Sequence, residues 1–356
     1  MAATEQLDEL FEVVLRENAS DLHLTVGRRP SIRIAGALSE LGRYPILTPA
    51  SSHELVLGLL TKEQQERYLE YKELDLSYGF KDNKARFRVN VFFQRGFMGA
   101  ALRLIPSKIR TLEELNIPAA IAAFADRQQG FVLVVGPTGH GKSTTLAALV
   151  DYINHRRTDH IITIEDPVEY LFTPDRAIVD QREVGADTRS FHRALKSVFR
   201  EDVDVVLIGE MRDAETMATA VTAAETGHLI FSSLHTNSAS QTIDRIIDSF
   251  PGAQQAQIRS QLSTTLVAIV SQRLIPRVQG GLIPAVEIMI ANPAVRNLIR
   301  EGKEHEIDFV IETSSDQGMV SLNRALADLV KRNEITMENA VAYSLDPQEL
   351  ATLMRR

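Results

Sequence analysis

The run Gly130-Phe-Val-Leu-Val-Val-Gly-Pro-Thr-Gly-His-Gly-Lys-Ser-Thr-Thr145 decides the fold. Phe131 to Val135 is a short apolar stretch that reads as a buried strand. Gly136 to Gly141 is a glycine-rich turn, and Lys142 and Ser143 lead into a helix-forming segment. The spacing G-x-x-x-x-G-K-[ST], set between strand and helix, is the pattern of a phosphate-binding loop. Its glycines let backbone N–H groups and the helix N-terminus close on an anion. Gly136, Pro137, Thr138, Gly139, His140, Gly141, Lys142, Ser143 and Thr144 are therefore expected to hold a nucleotide. Lys142 is expected to reach the β- and γ-phosphates, and the Ser143 hydroxyl to ligand Mg2+.

At 356 residues, 44% hydrophobic and 24% charged, the composition is that of a globular protein with room for two domains. No apolar run approaches the roughly 18 residues of a membrane span, and the opening Met-Ala-Ala-Thr-Glu does not read as a signal peptide. With no cysteine, disulfides and cysteine metal sites are excluded. A net charge of −8 argues against a surface coated in nucleic acid.

Ahead of the loop, Leu7, Leu10, Phe11, Val14 and Leu15 recur at helical spacing within residues 1–20. The period then changes to two: Asp21–Val26 and Ser31–Ile34 alternate around the turn Gly27-Arg-Arg-Pro30, which predicts a hairpin. Ser51 to Tyr71 reads as helical, with Thr61-Lys-Glu-Gln64 resembling a capping box. After the turn Lys81-Asp-Asn-Lys84, Phe87, Val89, Val91 and Phe93 share one strand face, and Arg86, Arg88 and Asn90 the other. Arg95 follows in a turn beside Gly96, and Arg103 lies in a further apolar run. These arginines form either a solvated polar face or a set of cations available to a phosphate, as arginine fingers are. Leu104 to Pro118, broken by Pro106 and Pro118, reads as a connector.

Beyond the loop a helix is expected over Thr144–Asn154 and a strand over His160–Ile164. That strand stops at Glu165-Asp166-Pro167, with Glu169 just after it. Open α/β sheets hold ligands at the carboxyl ends of their strands, so this acidic group is expected near the phosphates. Glu169 is the candidate to orient or deprotonate the attacking water, with Glu165 and Asp166 acting around the metal. The plainer alternative is an acidic helix start.

Phe191, Ala194, Leu195, Val198 and Phe199 follow the spacing of a core-facing helix. The next strand, Val203–Glu210, ends on Gly209-Glu210 where many phosphate-loop ATPases carry a metal-holding aspartate. Glu210 takes that duty, or the Asp166 group shares it. His228 and His235 flank the apolar run Leu229–Leu234. Seven residues of extended chain set them roughly 23 Å apart on opposite faces. His235, at the carboxyl end, is the candidate γ-phosphate sensor, and His228 is assigned to packing or subunit contact. Helices and a strand over Leu282–Ile290 follow. Asn292-Pro293 opens a helix that Gly302 stops, and two more helical stretches run near 321–331 and 336–343.

The assembled motifs resemble those of the type II/type IV secretion-superfamily ATPases, and within them the twitching-motility pilus retraction ATPases. The resemblance rests on Ala19-Ser-Asp-Leu-His-Leu24, Ala85-Arg-Phe-Arg-Val-Asn90, Gly136–Thr144, Thr163-Ile-Glu-Asp-Pro-Val-Glu169, Gly209–Asp213, Ala224–His228 and Leu234-His-Thr236. It also rests on Ala294-Val-Arg-Asn-Leu-Ile-Arg-Glu-Gly-Lys303, which resembles the motif linked to retraction rather than assembly. It implies an α/β protein: a PAS-like α+β domain at 1–103, a linker at 104–118, a RecA-like P-loop NTPase core at 119–290 and a helical subdomain at 291–356. It further implies a homo-hexamer with ATP and Mg2+ held between two domains, with Arg86, Arg88, Arg95 or Arg103 reaching towards nucleotide. Glu169 would be the catalytic glutamate and Glu210 the strand-end (Walker B) acid. The implied partner is an inner-membrane pilus platform protein, met at the cytoplasmic face of that membrane, with no nucleic acid. Assembly or secretion ATPases, a retraction accessory paralogue and a DNA-translocating ring are the alternatives. The missing cysteines speak against the first, whose members usually carry a four-cysteine zinc element. His140 stands where the family usually has serine and is read as tolerated variation; Val295 replaces isoleucine.

Overall fold

A computed structural model describes residues 3–34, 36–81, 84–105 and 108–355. Asp82, Asn83 and Pro106, expected in a turn and a linker, fall outside these. The chain forms two compact units: Met1–Lys108 with Asp166–Leu171, and Ile109–Glu165 with Phe172–Arg356.

The first unit is built on an antiparallel sheet of β1 (Asp21–Leu24), β2 (Ser31–Ile34), β3 (Ala37–Glu40), β4 (Glu73–Phe80), β5 (Ala85–Gln94) and β6 (Phe97–Ile105), ordered β3-β2-β1-β6-β5-β4. The alternation of β5 buries Phe87, Val89 and Val91 completely. The helix Ala3–Arg16 lays Phe11 on that face, 4.6 Å from the Phe87 ring and 5.2 Å from Phe80. The expected helix over 51–71 is in fact two, Pro49–Gly58 and Lys62–Tyr71. The break lies in the capping box: Thr61 must be extended (φ −68°, ψ 164°) for its hydroxyl to accept from Gln64 N–H, so the helix cannot run through it.

The second unit holds β7 (Gly130–Val135), β8 (His160–Glu165), β9 (Ile178–Glu183), β10 (Val205–Ile208), β11 (Leu229–Leu234), β12 (Leu266–Pro276) and β13 (Leu282–Ile290), ordered β13-β12-β7-β11-β10-β8-β9. All neighbours run parallel except β12 and β13. β7 sits mid-sheet with every residue buried, as its unbroken apolar run requires. Its register pairs Val135 with Leu234, and Ile208 pairs with both Ser232 and Ile164. The segments after β7, β11, β10 and β8 therefore leave one edge of the sheet together.

Two strands of this unit escaped the sequence reading. β12 follows the helix Gly252–Thr265 with no glycine or proline between them, so periodicity merges the two. β9 is a half-exposed edge strand of largely polar sequence. The helices expected over 292–302, 321–331 and 336–343 form, and Pro347–Arg355, capped by Asp346, is a further one that the sequence reading lacked. Asn292 accepts from Val295 N–H at 2.9 Å, and Gly302 closes that helix at φ +71°. Leu322–Lys331, Met337–Tyr343 and Pro347–Arg355 pack a separate apolar cluster against Ile275 and Ile283. No helix among the described residues is long and apolar enough to cross a membrane.

Candidate active site

The loop Gly136–Gly141 is shaped by β12, the strand missed in the sequence. A Cβ on Gly136 (φ +147°) would stand 2.4 Å from the Gln272 carbonyl oxygen. A Cβ on Gly141 (φ +80°) would meet the Gln272 side chain at 2.9 Å. Glycine is required at both for steric as well as conformational reasons. Gln272 is 2% exposed; its Nε2 donates to the His140 carbonyl at 2.7 Å, and its Oε1 accepts from Thr145 Oγ1 at 2.7 Å. One buried amide thus joins loop, helix and sheet.

His140 gains a defined partner. Its Nδ1 accepts from Leu274 N–H at 2.9 Å, and its ring meets Tyr343 edge-on at 6.3 Å between centroids. Accepting a backbone N–H requires Nδ1 to be unprotonated. Burial, then the charges of Arg273 and Lys142, hold its pKa below the ordinary histidine value. A serine at this position has a shorter reach. The imidazole ties the loop sideways to β12.

At the strand ends Lys142, His235 and Glu210 come together. Lys142 is 7% exposed; its Nζ donates to the carbonyls of Gly136 (2.9 Å) and Pro137 (3.0 Å) and lies 3.4 Å from His235 Nδ1. An ammonium has only donors, so Nδ1 faces it as the acceptor and Nε2 carries the proton. That Nε2 lies 3.3 Å from Glu210 Oε2, and Thr138 Oγ1 is 3.3 Å from Nδ1. The other Glu210 oxygen takes Arg212. Burial works to raise the Glu210 pKa, but the hydrogen bond and charge of Arg212, with the hydrogen bond from His235, outweigh it and hold it below the ordinary value. Glu210 is an anion at neutral pH, hydrogen-bonded through the imidazole to the lysine of the loop.

His228 is elsewhere, at the opposite end of β11. Its Nδ1 is 3.0 Å from the Ala223 carbonyl and its ring stands edge-on to Phe199 at 5.7 Å, a helix-end packing role. Phe199, read as core-facing, is 40% exposed beside it.

The acidic group is divided between the units. Glu165 ends β8 in the second unit, where its Oε1 accepts from Thr163 Oγ1 (2.7 Å) and Gln181 Nε2 (3.3 Å). Asp166 and Glu169 belong to the first unit, as do the arginines. Arg88 donates to Glu169 Oε1 at 3.0 Å; Arg86 Nε donates to the Val168 carbonyl at 3.2 Å, and its Nη2 to Ser77 Oγ at 2.6 Å. Arg103, opposite Arg88 in the β5–β6 register, is bound instead to the nearly buried Asp21 at 3.0 Å. Arg95 stands exposed at φ +51° in the β5–β6 turn. Two of the candidate arginines thus hold the 166–171 segment, one holds β1, and one is on the turn.

The donor set suits Mg2+ of a nucleotide. This ion takes one or two protein oxygens and completes its shell with phosphate and water. The exposed Ser143 hydroxyl and the ionised Glu210 supply such oxygens, and no cluster of three His, Asp or Glu side chains able to hold a metal occurs among the described residues.

A phosphate loop leaving an interior strand of a mostly parallel sheet, with lysine, histidine and acid gathered at the strand ends, defines a P-loop ATPase. The chain belongs to the type II/IV secretion system protein family, whose model matches residues 2–280. It is 46% identical over 334 residues to the type IV pilus retractation ATPase PilT of Pseudomonas aeruginosa, covering 94% of this chain and 96% of that one. It is 40% identical over 351 residues to the type IV pilus ATPase PilU of the same organism, covering 98% and 91%. Among solved structures it resembles that of the pilus retraction motor PilT with bound ADP, with a TM-score of 0.89 at 46% identity over 97% of this chain and 98% of that one.

Proposed function

We infer that this chain is the ATP-hydrolysing motor of type IV pilus retraction. The observation that carries the reading is the likeness to the retraction ATPase along nearly the whole chain, including the segment Ala294–Lys303. Gly136–Thr144 binds the phosphates of ATP. Lys142 exchanges its carbonyl partners for phosphate oxygens, Ser143 and Glu210 hold Mg2+, and His235 reads the γ-phosphate. The ion supplies neutralisation of phosphate charge; Glu169 positions and deprotonates the attacking water, steadied by Arg88. Glu165 and Asp166 act around the metal, and the exposed Arg95 is a further cation of the first unit for the nucleotide, whereas Arg86 is engaged by Val168 and Ser77 and Arg103 by Asp21.

Phosphate-loop residues and arginines are distributed over two compact units, which supports a motor that closes on ATP and opens after hydrolysis. The boundaries we assign are a PAS-like domain at 1–103, a linker at 104–118, a RecA-like core at 119–290 and a helical subdomain at 291–356. The working form is a homo-hexamer at the cytoplasmic face of the inner membrane, where it turns a platform protein. A retraction accessory paralogue is the second reading, and the 40% identity to the type IV pilus ATPase PilU keeps a pilus ATPase other than the main motor in view. Deleting the gene tests the proposal: pili that persist and cannot shorten are expected, and bald cells would overturn it. In vitro, Lys142→Ala is expected to abolish ATP hydrolysis.

A further inference from the structure

Glu287 on β13 is 7% exposed and carries no part of the site described above. Its Oε1 accepts from Ala239 N–H at 2.8 Å, and the Leu322 N–H faces the carboxylate closely enough to hold its pKa down. Ala239 and Leu322 are the first residues of the helices Ala239–Asp248 and Leu322–Lys331. Two helix N-termini, each with free N–H groups and a favourable dipole, therefore converge on one buried carboxylate. The first helix begins four residues after His235, and the intervening loop is held from β12 as well. Ser271 Oγ donates to the Asn237 carbonyl at 2.9 Å, and Arg273 donates to Asn237 Oδ1 at 3.0 Å. The second helix belongs to the C-terminal apolar cluster.

We propose that Glu287 is a positioning residue for ATP hydrolysis, tying the His235–Ser238 loop and the C-terminal helices to one point so that the phosphate side and that helical cluster move together. The proposal rests on the reading of His235 as a phosphate-facing group. Apolar side chains would serve β13 equally well for packing alone, and a buried carboxylate persists only where donors meet it. Burial pushes its pKa up to about 7. The two N–H groups oppose that rise, Asp308 of the helix Ile307–Thr313 adds to it, and Arg273 of β12 counters it. The strut is therefore strongest where the group is ionised, above neutral pH.

ATP turnover of the full chain, Glu287→Gln and Glu287→Asp is measured from pH 6 to 9, with hydrogen exchange read at Ala239 and Leu322. Glutamine can accept from one N–H but turns a donor towards the other. At pH 8, Glu287→Gln is expected to lower kcat at least about fivefold with KM for ATP within about twofold. The rise of parental kcat through neutral pH should vanish in it, and the two amides should exchange faster together. Parental kcat in this variant, or unchanged exchange at either amide, overturns the proposal. If the glutamine variant does not fold, Glu287→Asp, which keeps the charge and shortens the reach, is judged on kcat and exchange at pH 8. His235→Ala separates the two ideas. Parental turnover there sinks the phosphate-side reading together with the route through it, whereas slow turnover there beside a parental Glu287→Gln sinks the strut alone.

Discussion

Replacing Gln272 by leucine keeps the volume of a buried side chain and removes its amide. Two groups then lose partners: the Thr145 hydroxyl, in a residue 1% exposed, and the His140 carbonyl, each now bonded at 2.7 Å. An orphaned buried polar group costs about 1–3 kcal/mol. The hydroxyl can turn to the Gly141 carbonyl one helical turn back, and the His140 carbonyl is near the surface, so both fall towards the lower end. Their sum is about 2–4 kcal/mol, a large fraction of the roughly 5–15 kcal/mol that holds a domain folded. Part of this must reappear in ligand affinity, because the loop no longer waits in its binding shape. About 1.4 kcal/mol of that kind weakens ATP roughly tenfold. Urea unfolding followed by circular dichroism reads the first quantity, and calorimetric titration with a non-hydrolysable ATP analogue reads the second. Gln272→Glu should be worse than leucine, since it sets an acceptor against the His140 carbonyl. A leucine variant whose unfolding midpoint and affinity both match the parent would refute the claim that β12 shapes the loop.

Gly136→Ala should lose nucleotide binding outright, because its Cβ would meet a backbone carbonyl at 2.4 Å where φ is +147°; titration with the same analogue checks it. Glu169→Gln is expected to bind ATP with near-parental affinity and to lower kcat by at least about a hundredfold in a steady-state phosphate-release assay; parental turnover would remove Glu169 from the chemistry. Arg88→Ala should lower kcat at least about tenfold, whereas Arg103→Ala should chiefly lower the melting temperature, since its partner is Asp21. His140 gives a pH signature. Its folded pKa is depressed, so the unfolded chain binds its proton first as pH falls, and the native state loses stability below about 6.5. The fall in melting temperature between pH 7 and 5.5 should therefore be smaller in His140→Gln, and an identical fall would show that the Leu274 bond does not depend on a neutral ring.

The strand–loop–helix at Gly130–Thr145 was fully legible in the sequence because its determinants are local. An apolar run, glycines at turn positions, and a lysine and hydroxyl at fixed offsets act within sixteen consecutive residues. Alternation in β5 and the Asn292 and Gly302 caps were legible for the same reason: each is set by neighbours within one strand or one helical turn. What holds the loop was not. Gln272 and Leu274 reach it from more than a hundred residues away, through a strand whose start no turn residue marks. His140 looked like tolerated variation because its partner is a backbone N–H, which leaves no side-chain signature. Glu165 and Glu169 read as one acidic cluster, yet the chain passes from one compact unit to the other between Glu165 and Asp166, so Glu169 answers to Arg88 instead. The residue types needed for phosphate chemistry were thus present in the sequence at sight. Their partners were decided by strand register and by which unit each segment joins, and no local spacing encodes either.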